Sequence, residues 1–511
     1  MTDLLDPPRR PERESPGNAV PRDIPPEGAM RVPVRLFVAP GLEPPEEAIE
    51  RLREIASLPF LRLPVAAMPD VHPKSRNRAP TGIVLATDDD LVPLAIDKGL
   101  NCGMRTVLTD VAARDLDGAA LDLLFAEIRA RIPIRPRREP VLGREDVLRA
   151  LATGAGFASE RLGAPSEEIG RIEAGGDLVA DSGIDPEEAV RAVPGAAVEK
   201  GRRAIGCLGG GNHFLELQEV AAVLDRARAA ALGLEVGRAV FMLHTGSEAV
   251  GSLTMSTYAS HGRARDLRGR AKLFLGKLAF HAARGRLGAL GRSLLGRRFW
   301  SVRASSPDGR RLAGAIAAAS NFGFVNRMAV TAALREAARA ALGRAAGPMP
   351  LLFDCSHVGI RREEHGGALL WIHRHGASVA LPPSRCGGHP TFRSTGQPVP
   401  VPGSMGDDSF LCAGADGNLA AYGSLNHGAG RLLDKAEAIA RWSEADVLRE
   451  MAARRVRLYR GSRAGGGGGA MNIAEQFPRS FKSIAAVIDA MRGLGLATPI
   501  ARLRPIAVMK G

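Results

Sequence analysis

The residues able to do chemistry are mostly histidines and cysteines, and they come in short, separated clusters: MPDVH (Asp70, His72), NCGM (Cys102), GGGNHFLEL (Asn212, His213, Glu216), LHTGS (His244), DCSH (Cys355, His357), HRHGAS (His373, His375) and NHGAGR (Asn426, His427). A lone histidine needs only one hydrogen bond to be a satisfied core residue. Repeated placement of His beside Gly or another small residue points elsewhere, because it lets backbone or ligand approach closely and leaves little bulk to pack. Imidazole with thiolate suits zinc, manganese, iron or cobalt. A thiolate bridging two cations would keep them close enough to act on one phosphate chain. None of the spacings is a short CxxC or HExxH motif, so spacing leaves open which histidines ligate.

These clusters need elements to carry them. Pro45 to Leu58 reads as a short amphipathic helix with acids in its first turn. Residues 82–86, 90–96 and 105–110 read as buried strands. Helical periodicity returns at 145–162, at 187–193 and strongly at 312–342. The apolar segments 239–244 and 351–354 each end in a polar cluster. Polar residues gathered where strands end are a common seat of chemistry in α+β enzymes. GSRAGGGGGA at 461–470 reads as a loop or close-approach turn. No GxxxxGK[ST] phosphate loop and no GxGxxG before a helix is present.

With 511 residues, 45% of them hydrophobic, the chain has enough apolar surface for one large core or several ordinary ones. No stretch approaches the roughly 18 uncharged apolar residues of a spanning helix. Residues 1–30, rich in Pro and Arg, read as a solvated leader on a cytoplasmic protein, with 31–511 as the catalytic domain. Five cysteines are a sparse, odd set, which favours reduced thiols over a disulfide framework. The formal net charge is +14, and residues 263–311 hold 14 Lys and Arg against two acids, Asp266 and Asp308. Leu273, Phe274, Leu278 and Leu287 are spaced among those basic residues as in an amphipathic helix or helix pair. A solvated basic face is the plain interpretation; contact with nucleic acid is the sharper one.

In this order the clusters resemble the RtcB-type RNA ligases, the GTP-dependent tRNA-splicing and RNA-repair family. The resemblance runs from about MPDVH to the C-terminal VMKG and is carried best by PLAIDKGLNCGM (93–104), GNHFLEL, NFGFVNR (321–327), PGSMGDDSF (402–410), NHGAGR and Lys510. It implies a single large α+β domain with a deep central metal and GTP cleft, and an enzyme that joins an RNA 2′,3′-cyclic phosphate or 3′-phosphate end to a 5′-hydroxyl end with GTP and Mn(II). By the motif match, His427 is the nucleophile that takes GMP and Asp70 orients it; Cys102, His213, His244 and His357 hold the metals. Asn212, Glu216, Ser404, Ser409, Phe481 and Lys510 would grip the guanylate. RNA (tRNA halves or damaged RNA) and GTP are the implied partners, with archease as an activating protein.

The chain also departs from the family pattern. An ungapped match puts Gly99 where the family has an aspartate for a second metal, so either that metal is lost or Asp97, two residues early, takes its place. Asn101 stands where a glycine is usual. Glu248 replaces an arginine, Val358 an asparagine, His375 a lysine, and Phe481 a tyrosine that stacks on guanine. These departures describe a divergent paralogue and favour, as alternatives to full sealing, guanylylation or end processing of RNA 3′-phosphates, or a non-catalytic RNA-binding role.

Overall fold

The computed structural model describes residues 20–74, 77–259, 267–294, 299–461 and 472–510. Two antiparallel-rich sheets and a helical layer make one mixed domain. The larger sheet runs, in order, Leu351–Ser356, Gly103–Ala112, Arg238–Thr245, Phe214–Val223, Ala497–Lys510, Ser409–Gly414 and Pro398–Val401, with Arg457–Arg460 pairing parallel to Ala497–Lys510. The second sheet orders Arg22–Ile24, Val34–Leu36, Val65–His72, Thr81–Thr87, Ala368–His375 and Val358–His365. Its central strands Val65–His72 and Thr81–Thr87 are buried throughout, which explains why they read as continuous apolar runs instead of alternating ones.

Pro307–Leu342 starts behind a Ser306 cap, has Pro at its first position, and is buried along most of its length. Its run of Ala and Gly lets shorter helices pack closely around it, among them Pro186–Arg191, Glu248–Tyr258 and Arg144–Thr153. A buried ion network ties this helix to the large sheet. Asp354 accepts from Arg105 (2.9 Å) and Arg327 (2.8 Å), and Glu168 accepts from Arg105 (2.7 Å) and from Arg335.

Several expected boundaries move. The strand expected over 90–96 stops at Leu91 and gives way to a 3-10 turn at Pro93–Ala95, because Pro93 lacks the N–H a strand ladder needs. The helix expected over 145–162 breaks at Gly154 (φ +48), which accepts a conformation no helix contains. The stretch expected as a leader over 1–30 is structured at its end: Arg22–Ile24 pairs with Val34–Leu36, pinned by a two-pronged Arg35–Asp23 ion pair. Residues 1–19, 263–266, 295–298 and 462–471 lie outside the described residues, so most of the Gly-rich loop and part of the basic segment do too. The rest of that segment forms helices Leu267–Ala282 and Leu287–Leu294. Among the described residues no helix is long and apolar enough to cross a membrane.

Candidate active site

Four neighbouring strands of the large sheet end at the same edge, and each delivers one metal-binding type of side chain there. Cys102 directly precedes Gly103–Ala112, His213 directly precedes Phe214–Val223, His244 is next to last in Arg238–Thr245, and His357 directly follows Leu351–Ser356. Register brings them level: Met104 and Phe214 both pair with His244, and Gly103 pairs with Ser356 and Thr245. The result is compact. Cys102 Sγ lies 3.1 Å from His244 Nε2 and 3.2 Å from His213 Nε2, and His244 Nε2 lies 3.3 Å from His357 Nε2. One ligand atom each from Cys102, His244 and His357 falls within a 4.8 Å group.

This donor set fits a cation. His244 and His357 are buried, and burial first, then the neighbouring histidines, hold both imidazoles well below their ordinary pKa, so their lone pairs are free of protons at neutral pH. For His213 burial pushes down, but the Cys102 thiolate and then Glu248 outweigh it and hold the ring well above its ordinary value.

The turn carrying Cys102 is held from behind. Asn101 adopts φ +50, which asparagine tolerates better than most residues, so it can stand in for glycine there. Its carbonyl and side-chain oxygens accept from Arg327 at 2.7 and 2.8 Å, and Arg327 also donates to Thr245 O, one residue past His244. Asn326 accepts from Gly206 and Cys207 N–H and donates to Gly246 O. The NFGFVNR motif is therefore the scaffold of the site.

The second sheet brings Asp70 beside His427. His427 follows the short strand Ser424–Asn426, and its Nδ1 is 2.7 Å from Asp70 Oδ2 on Val65–His72. Its ring centroid is 5.1 Å from that of His357, so it borders the metal-binding group, and one fifth of its side chain is exposed. Asp70 is fully buried, and its Oδ1 has no hydrogen-bond partner among the described residues. Three glycines make this packing possible. A Cβ at Gly82 would sit 2.7 Å from Asp70 Oδ1, one at Gly430 2.4 Å from Asp70 O, and one at Gly376 3.1 Å from His427 Nδ1. Buried Lys482 donates to Pro69 O (3.0 Å) and Val71 O (3.1 Å), bracketing Asp70.

Five of the six residues expected to grip a guanylate sit in three hydrogen-bonded groups. Lys510 Nζ donates to Gln476 Oε1 (2.8 Å), whose amide donates to Asn212 Oδ1 (3.1 Å). Gln218 donates to Glu216 and to Ser409 Oγ (2.9 Å), while Ser404 donates to Asp407. Burial pushes Glu216 up to about 7 and pulls Lys510 down to about 7, each opposed by attraction to the other. Phe481 lies under the Arg431 guanidinium, 4.5 Å from it.

Some expectations change and some residues were missed. Asp97 is paired with Lys74 and accepts from the Lys98 N–H, and both it and His213 lie outside the close group of Cys102, His244 and His357. Cys355 is fully buried in the apolar core and stands outside that group. His373 is structural, accepting from Val92 N–H. Gln476, Lys482 and the three glycines were not singled out from sequence, since nothing local marks them. Gln218 could have been, because in FLELQ it is two residues from Glu216 on the same strand face.

Comparison with known proteins agrees with this geometry. The family model described as "tRNA-splicing ligase RtcB" matches residues 51–511. The RNA-splicing ligase RtcB of Mycobacterium tuberculosis (strain ATCC 25618 / H37Rv) is 32% identical over 468 residues, covering 89% of this chain and 99% of that protein. The tRNA-splicing ligases RtcB of Thermococcus kodakarensis (31% over 503 residues; 94% and 95% covered) and Nanoarchaeum equitans (28% over 506 residues; 96% and 97% covered) are also similar. The family matched over nearly the whole of this mixed domain makes it an enzyme of the RNA-ligase class. The chain belongs to the tRNA-splicing ligase RtcB family.

Proposed function

We propose that this protein is a GTP-dependent RNA ligase that joins RNA 2′,3′-cyclic phosphate or 3′-phosphate ends to 5′-hydroxyl ends through a histidyl-GMP intermediate. The observation that supports it most is the His427 Nδ1–Asp70 contact of 2.7 Å beside the Cys102/His244/His357 group. Asp70 accepts the Nδ1 proton, which leaves the Nε2 lone pair free to attack. That nitrogen attacks the α-phosphorus of GTP; a P–N bond forms, the α–β P–O bond breaks and pyrophosphate leaves. An oxygen of an RNA 3′-phosphate then attacks the same phosphorus and the P–N bond breaks, returning His427 with its lone pair. The 5′-hydroxyl oxygen, losing its proton, attacks the RNA phosphorus, and GMP departs. A cyclic phosphate is first opened to the 3′-phosphate by water.

Cys102, His213, His244 and His357 would hold Mn(II), in one or two ions, and the metal would polarise phosphate oxygens and offset their charge. Asn212, Glu216, Ser404, Ser409 and Lys510 would bind the guanylate, Glu216 on a guanine edge and Lys510 as a fixed donor. Phe481 would stack on the base, which requires Arg431 to give up its place over the ring. Exposed Arg268 and Lys272 on Leu267–Ala282 would contact the RNA backbone, and archease would serve as an activating partner.

The test is incubation with α-labelled GTP and Mn(II), then a denaturing gel. An acid-labile label on the wild type and none on His427→Ala is the expected result. Ligation of 3′-phosphate RNA to 5′-hydroxyl RNA separates sealing from guanylylation alone, the second reading, which Gly99 favours by leaving no carboxylate at that position. Absence of any adduct would return the protein to an RNA-binding role.

A further inference from the structure

We infer that Glu248 is a positioning residue for His213, accepting the Nδ1 proton of that ring so that Nε2 stays aimed at Cys102 and any cation bound there. The inference rests on the metal reading of the site above. Glu248 opens the helix Glu248–Tyr258, and its Oε1 lies 2.8 Å from His213 Nδ1, while His213 Nε2 lies 3.2 Å from Cys102 Sγ. A carboxylate on one ring nitrogen and a metal on the other is the arrangement that fixes the tautomer and raises the basicity of a ligating imidazole. Leu208 O, 3.1 Å from the same Nδ1, supplies a second, neutral acceptor.

Three features show that the contact is built rather than incidental. Glu248 adopts φ +48, a conformation that an ordinary side chain rarely takes and that persists where surroundings impose it. Gly209, facing it at φ +85, is the clearance: a Cβ there would fall 2.2 Å from Glu248 Oε1 and 2.5 Å from His213 Nδ1. The Glu248 carboxylate is mostly buried and lines a cavity of about 310 Å³ together with Gly99, Cys102, His213 and Ser252. Gly99 adds no side chain to that cavity, so the carboxylate on its wall is that of Glu248. When a cation is held there, a carboxylate behind a ligand ring would offset in part the carboxylate that Gly99 does not supply.

Co(II) added to the full-length chain, without GTP or RNA, reads this directly, because a Cys102 thiolate on Co(II) gives a near-ultraviolet charge-transfer band. Glu248→Gly relieves the positive φ, so the metal-free variant should melt at or above the wild-type temperature, yet bind Co(II) about tenfold to a hundredfold more weakly. Glu248→Gln keeps the shape and the acceptor oxygen but not the charge, and should lose less; it also decides the matter if the glycine variant does not fold. Wild-type affinity and an unchanged band in both variants would overturn the inference. Failure of the wild type itself to give the band, with Cys102→Ser as the blank, would overturn the metal reading and this inference with it.

Discussion

At the level of single residues the decisive feature is which nitrogen of an imidazole donates and which accepts. Asp70 is fully buried against His427, so replacing it by Asn keeps the shape but removes the charge that faces Nδ1. Asp70→Asn is expected to slow formation of the GMP adduct about 10²-fold or more, measured in a single turnover with labelled GTP. His373 shows the same principle used for stability. Burial pulls it down to about 4, with backbone contacts to Trp371 and Leu85 opposing, and its Nε2 accepts from Val92 N–H at 3.0 Å. A folded pKa below the unfolded one gives stability that is complete above about 6.5 and is lost as pH falls toward 4, on the order of 3 kcal/mol. Urea unfolding of the metal-free chain at pH 7 and pH 5 should show this loss, and His373→Gln should flatten it.

At the level of elements the site depends on strand ends that reach one edge and on loops close enough to touch. Both were partly legible. The segments 239–244 and 351–354 ended in polar clusters, as strands that end at a site do, and they became Arg238–Thr245 and Leu351–Ser356. What periodicity could not show is that Phe214–Val223 and Gly103–Ala112 flank Arg238–Thr245, since pairing between distant segments leaves no local trace. The glycine clearances were equally silent, because a missing Cβ matters only against a partner far along the chain. Gly430 (φ +74) is a sharp case, being packed against the backbone of Asp70. Gly430→Ala should therefore cost about 1–3 kcal/mol in denaturant unfolding and lower the adduct yield, whereas Ala at Gly210, with nothing within 4 Å, should leave the yield unchanged.

Across the whole molecule, a buried charge network and an exposed basic segment do different work. Asp354 is fully buried between Arg105 and Arg327, and Arg327 in turn holds the Cys102 turn and the end of the His244 strand. Asp354→Ala leaves two guanidinium groups without their carboxylate, at an expected 3–5 kcal/mol in unfolding free energy. Co(II) binding should weaken with it. Charge reversal at Arg268 and Lys272, both exposed, should lower RNA affinity and reduce the salt slope by about 2, as two lost phosphate contacts would, and leave the GMP adduct intact.

The side chains proposed to do chemistry were visible from the amino-acid order because their types restrict what they can do: thiolate with imidazole can bind cations, and a histidine beside an acid can be nucleophilic. The long helix and some buried strands, Thr81–Thr87 and Gly103–Ala112 among them, were visible too, since burial imprints a pattern on each segment by itself. The partners were decided only in three dimensions. What Asp97 pairs with depended on Lys74, and whether Phe481 presents an open face depended on Arg431. What Glu248 does in place of an arginine depended on a ring 35 positions away in the chain. Each is a contact between segments brought together by folding, and contacts of that kind have no period for a sequence to display.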